Sequence, residues 1–290
     1  MNHSMINSYV SMQGIQQKLD IIANNMANIG TTGFKRKEAT FHDVLTTTMR
    51  QPDSFQQAGR LSPLGLTQGW GARIGQIQTL MAQGSFKQTD RPTDLAIEGD
   101  ALFEVAIPGI GADGQPTRQT AWTRDGSFTL KELPDDQANV YLMTAEGHLV
   151  LGTDDQPIRI PNNYRLQIGA DGAVTAYNDL DPGQPPVPAG ALKLVQVVRP
   201  QWLENMGDNL YKLPDSVDPA LGGVLRVVAL DGANPEADKV SVRQGFLEQS
   251  NVNMTEEMTE LMLTQRAFQL NAKALTSADT MMSLANTLRG

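Results

Sequence analysis

The chain contains no cysteine, which excludes disulfide bonds, thiolate catalysis and zinc or iron–sulfur sites with sulfur ligands. Histidine is also scarce, and because His3, His42 and His148 lie far apart, the sequence predicts no metal site built from neighbouring residues. Aromatic residues make up only 6% of the 290 residues. These absences remove many of the side chains on which active sites and cofactor sites are built, and we expect no cofactor.

Positive charge is scarce as well, since 23 Lys and Arg face 32 Asp and Glu, for a formal net charge of −9. An acidic chain lacks the basic surface that nucleic acid or an anionic lipid attracts, so neither is an expected partner. No apolar run approaches the ~18–20 residues of a membrane span, and we expect none. The first residues have neither the basic region nor the apolar core of a cleavable secretory signal.

Proline and glycine are concentrated in the middle of the chain. All 16 prolines and 21 of the 26 glycines lie between Pro52 and Pro235. Residues 1–50 have a net charge of +2 and residues 243–290 of −1, which leaves −10 for the residues between them. Because proline breaks helices and marks turns, both ends are free to be helical, whereas the middle has the composition of strands and turns.

Both ends have helical periodicity. Apolar residues recur every three or four positions near the N-terminus and every seven near the C-terminus: Met5, Met12, Ile15, Leu19, Ile22, Met26 and Ile29, then Met254, Leu261, Phe268, Leu275 and Met282. A sustained heptad is typical of helices that pack along a shared seam. We predict helices of roughly 24 and 34 residues, about 36 and 50 Å long, the second capped by Asn253 or Thr255. Helices of an ordinary globular domain would have the same pattern, but their place at the two ends favours pairing with each other or with neighbouring copies.

The middle of the chain has the pattern of a β-rich domain. Short apolar or alternating runs are separated by turn signals, which is typical of antiparallel sheets and not of βαβ units. The predicted strands are 102–107, 120–123, 128–130, 140–143, 148–151, 166–168, 174–176 and 192–198. The predicted fold class is therefore α+β, with long N- and C-terminal helices pairing as a coiled coil and a β-rich middle domain.

Two short motifs invite a chemical interpretation. Residues 109–114 match G-x-G-x-x-G, but Pro116 and a strand-like run follow where a dinucleotide site needs a helix, so we predict a hairpin loop. The basic cluster Lys35-Arg36-Lys37 is interpreted as a solvated surface at a helix end or, alternatively, as a salt link to an acidic neighbour in an assembly. No carboxylate has a sequence context that indicates acid–base catalysis, so the chain is not predicted to be an enzyme.

Four segments of the chain resemble one protein family in order. Residues 23–36 read Ala-Asn-Asn-Met-Ala-Asn-Ile-Gly-Thr-Thr-Gly-Phe-Lys-Arg, which resembles the N-terminal signature of the flagellar rod and hook protein family. Later blocks of that family are similar to residues 83–89 with 94–99, 122–128 with 147–150, and 245–253 with 265–268. Because these matches span nearly the whole chain, it is identified as a member of the family.

The resemblance implies a structural, non-enzymatic subunit of the flagellar basal body. Such subunits leave the cell through the flagellar type III export apparatus without a cleavable signal and polymerise into a helical tube with other rod proteins and the hook protein. It also implies three domains: a tube-lining coiled coil (1–34 with 251–290), an extended connecting domain (35–82 with 241–250) and a β-rich outer domain (83–240).

The resemblance further favours one branch of the family. A length of 290 residues favours a rod protein over the longer hook protein. The segment from Arg50 to Gly71 lies where distal rod proteins carry an insertion, and Gly69-Trp70-Gly71-Ala72-Arg73 resembles their Gly-x-Gly-x-Arg. We therefore predict a distal rod subunit that transmits torque to the hook. A proximal rod protein is the alternative, because residues 65–67 and 219–240 depart from the distal pattern, and a hook subunit is favoured less.

Three sets of residues are expected to carry assembly. They are the helix-end signature Asn24, Asn25, Asn28, Gly33, Phe34 and Lys35; the assembly seam Met12, Ile15, Leu19, Ile22, Met26, Leu261, Phe268, Leu275 and Met282; and the C-terminal signature Glu248, Ser250, Asn251, Asn253, Gln265 and Arg266. The asparagine amides would satisfy backbone groups where the first helix ends, with Gly30 and Gly33 at positive φ. Gly33→Val would then abolish assembly while the β domain stays folded.

The seam and the C-terminal signature have separate expected roles. The seam would be buried only in the polymer, so both helices would be largely disordered in the free subunit. Gln265 and Arg266 would link neighbouring subunits. Two other classes of protein are less favoured, because an enzyme would need carboxylates gathered from distant strands and an interaction module with a helical stalk would not explain the ordered family blocks. Polymerisation at high concentration would separate a filament subunit from both.

Overall fold

The structure, a computed structural model, describes residues 2–43, 46–49, 66–110, 116–133, 136–178, 185–214, 223–228 and 240–288. The chain divides into two compact units. Unit 1 consists of Met1–Ala27, Lys37–Gln78 and Asn253–Gly290, and unit 2 of Asn28–Arg36 and Thr79–Val252. The three domains inferred from the family resemblance stay a prediction.

Unit 1 contains the two terminal helices, α1 (Asn2–Ala27) and α2 (Met254–Thr287). Their lengths of 26 and 34 residues agree with the proline-free ends and the apolar periodicity of the sequence. Asn253 caps α2, since its side-chain oxygen accepts a hydrogen bond from the backbone N–H of Thr255 at 3.0 Å. The predicted pair of terminal helices is confirmed.

The two helices pack against each other. Lys18 Nζ in α1 donates to Glu260 Oε1 in α2 at 2.7 Å, and Asn25 Nδ2 lies 3.4 Å from both carboxylate oxygens of Glu257. Moving forward along α1 from Lys18 to Asn25 therefore means moving backward along α2. The two helices therefore run antiparallel.

Unit 1 also contains a β ribbon that the sequence did not predict. Its strands are β1 (Lys37–Asp43), β2 (Thr46–Met49), β3 (Leu66–Gly69) and β4 (Ala72–Thr79). β1 pairs with β4, and β2 pairs antiparallel with β3. The sequences of these strands are mostly polar, and apolar and polar residues do not alternate regularly along them. The described side chains of β1 and β4 are largely exposed.

Unit 2 is built from short strands. They are β5 (Phe86–Gln88), β6 (Leu95–Glu98), β7 (Leu102–Ile110), β8 (Pro116–Thr123), β9 (Thr129–Leu133), β10 (Asp136–Met143), β11 (Leu149–Val150), β12 (Arg159–Pro161), β13 (Tyr164–Ile168), β14 (Ala173–Asn178), β15 (Val187–Ala191), β16 (Leu194–Val197), β17 (Glu204–Gly207), β18 (Leu210–Lys212), β19 (Leu225–Val228), β20 (Ser241–Gln244) and β21 (Phe246–Glu248). A single 3-10 turn is described within unit 2, at Pro200–Trp202.

Most of these strands form one antiparallel sheet in the order β12-β10-β11-β7-β8-β18-β17, with β9 on β10 and with β16 between β7 and β19. β13-β14-β15 form a second sheet, and β6 pairs with β20 and β5 with β21. The core includes Phe103 and Phe128, whose rings meet edge to face with centroids 5.1 Å apart. Both aromatic side chains are fully buried.

The β-rich middle is confirmed, and strands overlap each of the predicted runs. β7 and β8 pair antiparallel with Ile110 opposite Pro116, so a strand follows the glycine-rich motif where a dinucleotide site needs a helix. Residues 111–114 of that motif lie outside the described residues. In unit 2, sequence reasoning missed β5, β6, β12, β15 and the strands from β17 to β21, because strands of three to five residues are too short to have a measurable period.

Candidate functional site

Three charged side chains form a buried cluster in unit 2. Lys35, Arg124 and Glu248 are 1%, 4% and 2% exposed. One carboxylate pairs with both cations, since Glu248 Oε1 accepts from Lys35 Nζ at 2.7 Å and Oε2 accepts from Arg124 Nε at 2.5 Å. The interpretation of Lys35 as part of a solvated surface is therefore wrong. Its partner is an acidic residue of the same chain.

The remaining polar atoms of this charge cluster are bonded to backbone. The carbonyl oxygens that accept from the two cations belong to Met81 and Ala82 for Lys35, and to Ile97, Gly99 and Ala101 for Arg124. The backbone N–H of Gly84 donates to Glu248 Oε1 at 2.8 Å. Because a buried charge is costly unless it is paired and hydrogen-bonded, this arrangement holds the backbone segments around it in one position.

The neighbouring charges also shift the pKa values of Glu248 and Lys35. Burial raises the pKa of the Glu248 carboxyl, but the positive charges of Arg124 and Lys35 outweigh burial and hold that pKa below its usual value. Burial and the neighbouring Arg124 guanidinium lower the pKa of the Lys35 ammonium, although Glu248 opposes both. The cluster therefore depends on the ionised form of its one carboxylate.

Gly33 lies against the residues that follow strand β8. Its φ is +67°, and a Cβ added there would lie 2.6 Å from the backbone nitrogen of Asp125 and 2.7 Å from the carbonyl carbon of Arg124. The expectation of a positive φ at Gly33 is confirmed, whereas Gly30 is not in that region and that expectation is wrong. A side chain at position 33 would disturb unit 2 itself, next to the charge cluster.

Asn251 joins two backbone segments through its amide. Its Oδ1 accepts from the N–H of Arg36 at 2.7 Å, and its Nδ2 donates to the carbonyl oxygens of Leu80 and Ala82 at 2.9 Å each. Its own N–H donates to the carbonyl of Phe34, whose side chain is buried. A side-chain amide can in this way satisfy backbone groups that would otherwise pair with a neighbouring strand.

Asn25 makes the equivalent contact in unit 1. The amide is 1% exposed, accepts from the N–H of Lys37 at 3.0 Å and donates to the Lys37 carbonyl at 2.8 Å. Both backbone groups of Lys37 are thereby satisfied at the start of β1. Of the other two asparagines, Asn28 accepts a hydrogen bond from the Thr31 hydroxyl at 3.2 Å, and Asn24 is exposed.

The predicted seam residues lie along one side of each helix. Ile22 is buried, and the other members are half-buried: Met12, Ile15, Leu19, Met26, Leu261, Phe268, Leu275 and Met282. Glu257 and Thr264 continue this side of α2 and are buried. Burial of Ile22 occurs already within one chain, so the expectation that every seam residue is buried only in a polymer is wrong for Ile22. Met254, a member of the heptad, is exposed.

The opposite side of α2 carries exposed leucines. Leu263, Leu270 and Leu284 are 60%, 67% and 63% exposed, and we call them the outward row. Each follows a seam residue by two positions, which is about 200° around a helix. The seam residues they follow are Leu261, Phe268 and Met282. Helix α2 therefore has two apolar sides, of which only one is covered in the chain.

The remaining C-terminal signature residues have local or exposed positions. Ser250 Oγ accepts from the N–H of Val252 at 3.3 Å, whereas Gln265 and Arg266 are exposed on α2. None of the three contributes to the charge cluster.

Nothing in the described residues has the geometry of a metal site, since no three His, Asp or Glu side chains lie close enough to bind an ion together. A cavity of about 870 Å³ in unit 2 is lined in part by Tyr141, whose hydroxyl donates to Asp136 at 2.9 Å. That hydrogen bond raises the pKa of Tyr141, so the hydroxyl stays protonated. No helix in the described ranges is long and apolar enough to cross a membrane.

Three family models match separate parts of the chain. They are described as flagella basal body rod protein (residues 12–35), flagellar hook protein FlgE/F/G D1 domain (96–176) and flagellar basal body rod FlgEFG protein C-terminal (243–288). The charge cluster takes one residue from each match, namely Lys35, Arg124 and Glu248. The three matched segments therefore meet at this cluster.

Relatives align over nearly the full length of the chain. The flagellar basal-body rod protein FlgG of Borreliella burgdorferi is 32% identical over 282 residues, which cover 96% of this chain and 95% of that protein. FlgG of Bacillus subtilis is 31% identical over 97% of both chains. The flagellar hook-basal body complex protein FlhP of the same organism is 31% identical over 100% of both.

Sequence reasoning missed Arg124 as a site residue. It lies in a segment noted for its family resemblance, but nothing local marks it as buried. Its carboxylate partner is 124 positions away in the sequence, and that of Lys35 is 213 away. A pairing at such separation has no periodic signal. The signal that was available was the placement of each charged residue within a different signature block.

Proposed function

The chain belongs to the flagellar basal-body rod and hook protein family, and we propose that it acts there by polymerising through its two terminal helices. It is a structural rod subunit and not an enzyme, and the distal rod type fits the relatives named FlgG. What remains to be explained is which surfaces join one subunit to the next.

The outward row of α2 carries this proposal. Three leucines at heptad-compatible positions, each at least 60% exposed, place exposed apolar side chains along one side of the helix, which is a feature of protein interfaces. The seam side of α2 already has α1 as a neighbour, so the outward row needs a partner from another chain. A second copy would supply that partner, and because a helical polymer is built from heterologous contacts, the outward row would pack against a different surface of the next copy.

We assign the coiled coil and the predicted residues to this assembly. The α1–α2 pair would form the coiled coil that lines the tube, with residues 1–34 and 251–290 as its domain. Residues 35–82 and 241–250 would form the connecting domain, and residues 83–240 the outer domain. Five residues would hold the backbone in place after α1 ends and before α2 begins: Asn25, Gly33, Lys35, Glu248 and Asn251. Their hydrogen bonds within each unit support this role.

The partners and location follow from the same proposal. The subunit would be exported by the flagellar type III apparatus, assemble with copies of itself, and join other rod proteins and the hook protein. As a member of the family it is part of the flagellar basal body. Gln265 and Arg266, exposed on α2, would contact neighbouring subunits in the tube.

The test is polymerisation of a variant with a charged outward row. Leu263→Glu combined with Leu270→Glu would place two carboxylates on the stripe. We expect the wild-type chain to sediment as polymer at high concentration, with tubes visible by electron microscopy, and the double variant to stay in the supernatant.

A matched control distinguishes the outward row from any exposed apolar residue. Val198, in unit 2, is 55% exposed, so Val198→Glu makes the same chemical change at similar exposure. We expect this variant to polymerise as the wild type does. Unchanged polymerisation of the double variant would rule out the outward row as the contact.

A further inference from the structure

Exposed methionines are concentrated on helix α2. Met254, Met258, Met262 and Met281 are 40%, 48%, 54% and 59% exposed, and we call them the α2 methionines. Among the methionines whose side chains the structure describes, the only other one of comparable exposure is Met206, at 45%, on strand β17 in unit 2. The helix expected to assemble is therefore also the part richest in accessible thioethers.

The thioether is the side chain in this protein that a mild oxidant attacks first. A thiol would react faster, but the chain has none. Met254, Met258 and Met262 are spaced four residues apart, so they are neighbours along one face of the helix. Met281 lies near the exposed Leu284, a member of the outward row. Oxidation of this set would convert a flexible apolar surface into a polar one.

We propose that the α2 methionines are a modification site for peroxides, and that their oxidation to sulfoxides blocks incorporation of the subunit into a polymer. The proposal rests on the proposed function, since it needs α2 to be buried during assembly. The thioether sulfur attacks one peroxide oxygen, the O–O bond breaks and an S–O bond forms. The sulfur loses two electrons and the peroxide gains them. The departing oxygen takes the proton from the oxygen that is now bound to sulfur and leaves as water.

The effect on assembly follows from the polarity of the product. A sulfoxide oxygen needs a hydrogen-bond donor, and an apolar contact between helices supplies none. Each oxidised subunit would therefore bind its neighbour more weakly. We expect the critical concentration for polymerisation to rise about tenfold or more, which corresponds to about 1.4 kcal/mol of lost contact energy.

The first measurement maps oxidation in the free chain and in the polymer. Full-length protein is treated with hydrogen peroxide, and sulfoxides are located by peptide mass spectrometry. In the free chain we expect the α2 methionines and Met206 to oxidise, whereas Met143, at 5% exposure, resists. In the polymer the α2 methionines become protected and Met206 still reacts. Equal rates for the α2 methionines in both states would overturn the proposal.

The second measurement uses variants in which leucine replaces methionine. One carries Leu at all four α2 positions, and Met206→Leu is the matched control. After peroxide treatment we expect the fourfold variant to polymerise, and the wild type and the control to stay soluble. Treatment of the oxidised wild type with methionine sulfoxide reductase should restore its polymerisation. That restoration tests the proposal even where the fourfold variant fails to fold.

Failure of this proposal and failure of the proposed function give different results. If oxidised wild-type protein polymerises like untreated protein, oxidation does not control assembly, while the role of the helices stands. If untreated wild-type protein never polymerises, assembly through the helices is wrong, and the oxidation proposal is overturned with it.

Discussion

The β-rich unit and the helical unit place the same apolar residue types in opposite environments. In unit 2, Phe103, Leu142 and Leu194 are fully buried. In unit 1, Leu263 and Leu270 are at least 60% exposed. Unit 2 even buries three charges, and pairs them within the chain. Unit 2 pairs its buried charges within the chain, whereas unit 1 leaves leucines of α2 exposed.

This difference separates folding from assembly. A helix in a protein gains most of its stability from packing of its apolar face and little from intrinsic propensity. Helix α2 is packed on its seam side only, so the proposed contact with a second copy would add to its stabilisation. Unit 2 has a closed core, which suits a domain that must be folded before and after polymerisation.

Hydrogen exchange should show the largest contrast. In dilute free subunit we expect amides of 254–288 to exchange at least about a thousandfold faster than those of 102–106 in the central strand β7. On polymerisation the helical amides should slow by a comparable factor. Mass spectrometry of both states measures this. Strong protection of α2 in the free subunit would mean that the chain alone stabilises the helix, and the contrast between the units would be lost.

Removing the negative charge from the buried cluster should unfold unit 2 more readily. Glu248→Gln would leave Lys35 and Arg124 close together without a counter-ion, and breaking a buried pair in this way costs about 3–5 kcal/mol. Urea unfolding, followed by the emission of the buried Trp122, measures the loss. The control is Glu98→Gln, which breaks an exposed pair with Arg243. Exposed pairs contribute about 0–1 kcal/mol, so equal losses in both variants would contradict the role of burial.

One truncation made in both units compares them directly. Leu142→Ala, in the core of unit 2, should lower the free energy of unfolding by about 2–5 kcal/mol. Leu270→Ala, on the outward row, should change it by less than about 0.5 kcal/mol, because an exposed side chain buries little on folding. Leu270→Ala should instead raise the critical concentration for polymerisation. A large loss of stability in the free Leu270→Ala chain would show that the outward row is already packed.

Acid should weaken unit 2 through Glu248. Because its pKa is lowered in the fold, its ionised form stabilises the folded state above the unfolded value, which is about 4.3 for glutamate. That contribution is lost as the pH falls from there through the folded pKa. As the pH is lowered below about 4, the urea concentration at the unfolding midpoint should therefore decrease. The decrease should be steeper for the wild type than for Glu248→Gln. Parallel acid profiles for the two chains would assign acid unfolding to other carboxylates.

Features with a local cause were predictable from the sequence. The two terminal helices follow from a heptad and the absence of proline, and the cap at Asn253 follows from the preference for Asn at that position. The hairpin of β7 and β8 follows from two alternating runs with glycines between them. Each of these signals lies within a few residues of the structure that it specifies.

Features that depend on distant contacts were not predictable from residues alone. The ribbon at 37–79 is polar and has no period, so only its pairing identifies it. Lys35 looked exposed because two basic neighbours follow it, and its burial depends on a carboxylate 213 positions later. The outward row was hidden because the seam already accounted for the apolar periodicity of α2. Features set by residues close together in the sequence were predicted, whereas features that need contacts between distant residues were missed.

The smallest predicted effect concerns the first turn of α2. Asn253 accepts from the N–H of Thr255 and donates to Glu256 Oε1 at 3.2 Å, so it caps the helix with its oxygen and contacts a carboxylate with its nitrogen. Asn253→Ala should cost about 1 kcal/mol, which would raise exchange in the first turn about fivefold. Asn253→Asp keeps the oxygen and should cost little. So small a local effect is measurable, because hydrogen exchange reports on the amides of the first turn separately from the rest of the helix. Equal losses for Ala and Asp would identify the nitrogen contact, and not the cap, as the stabilising interaction.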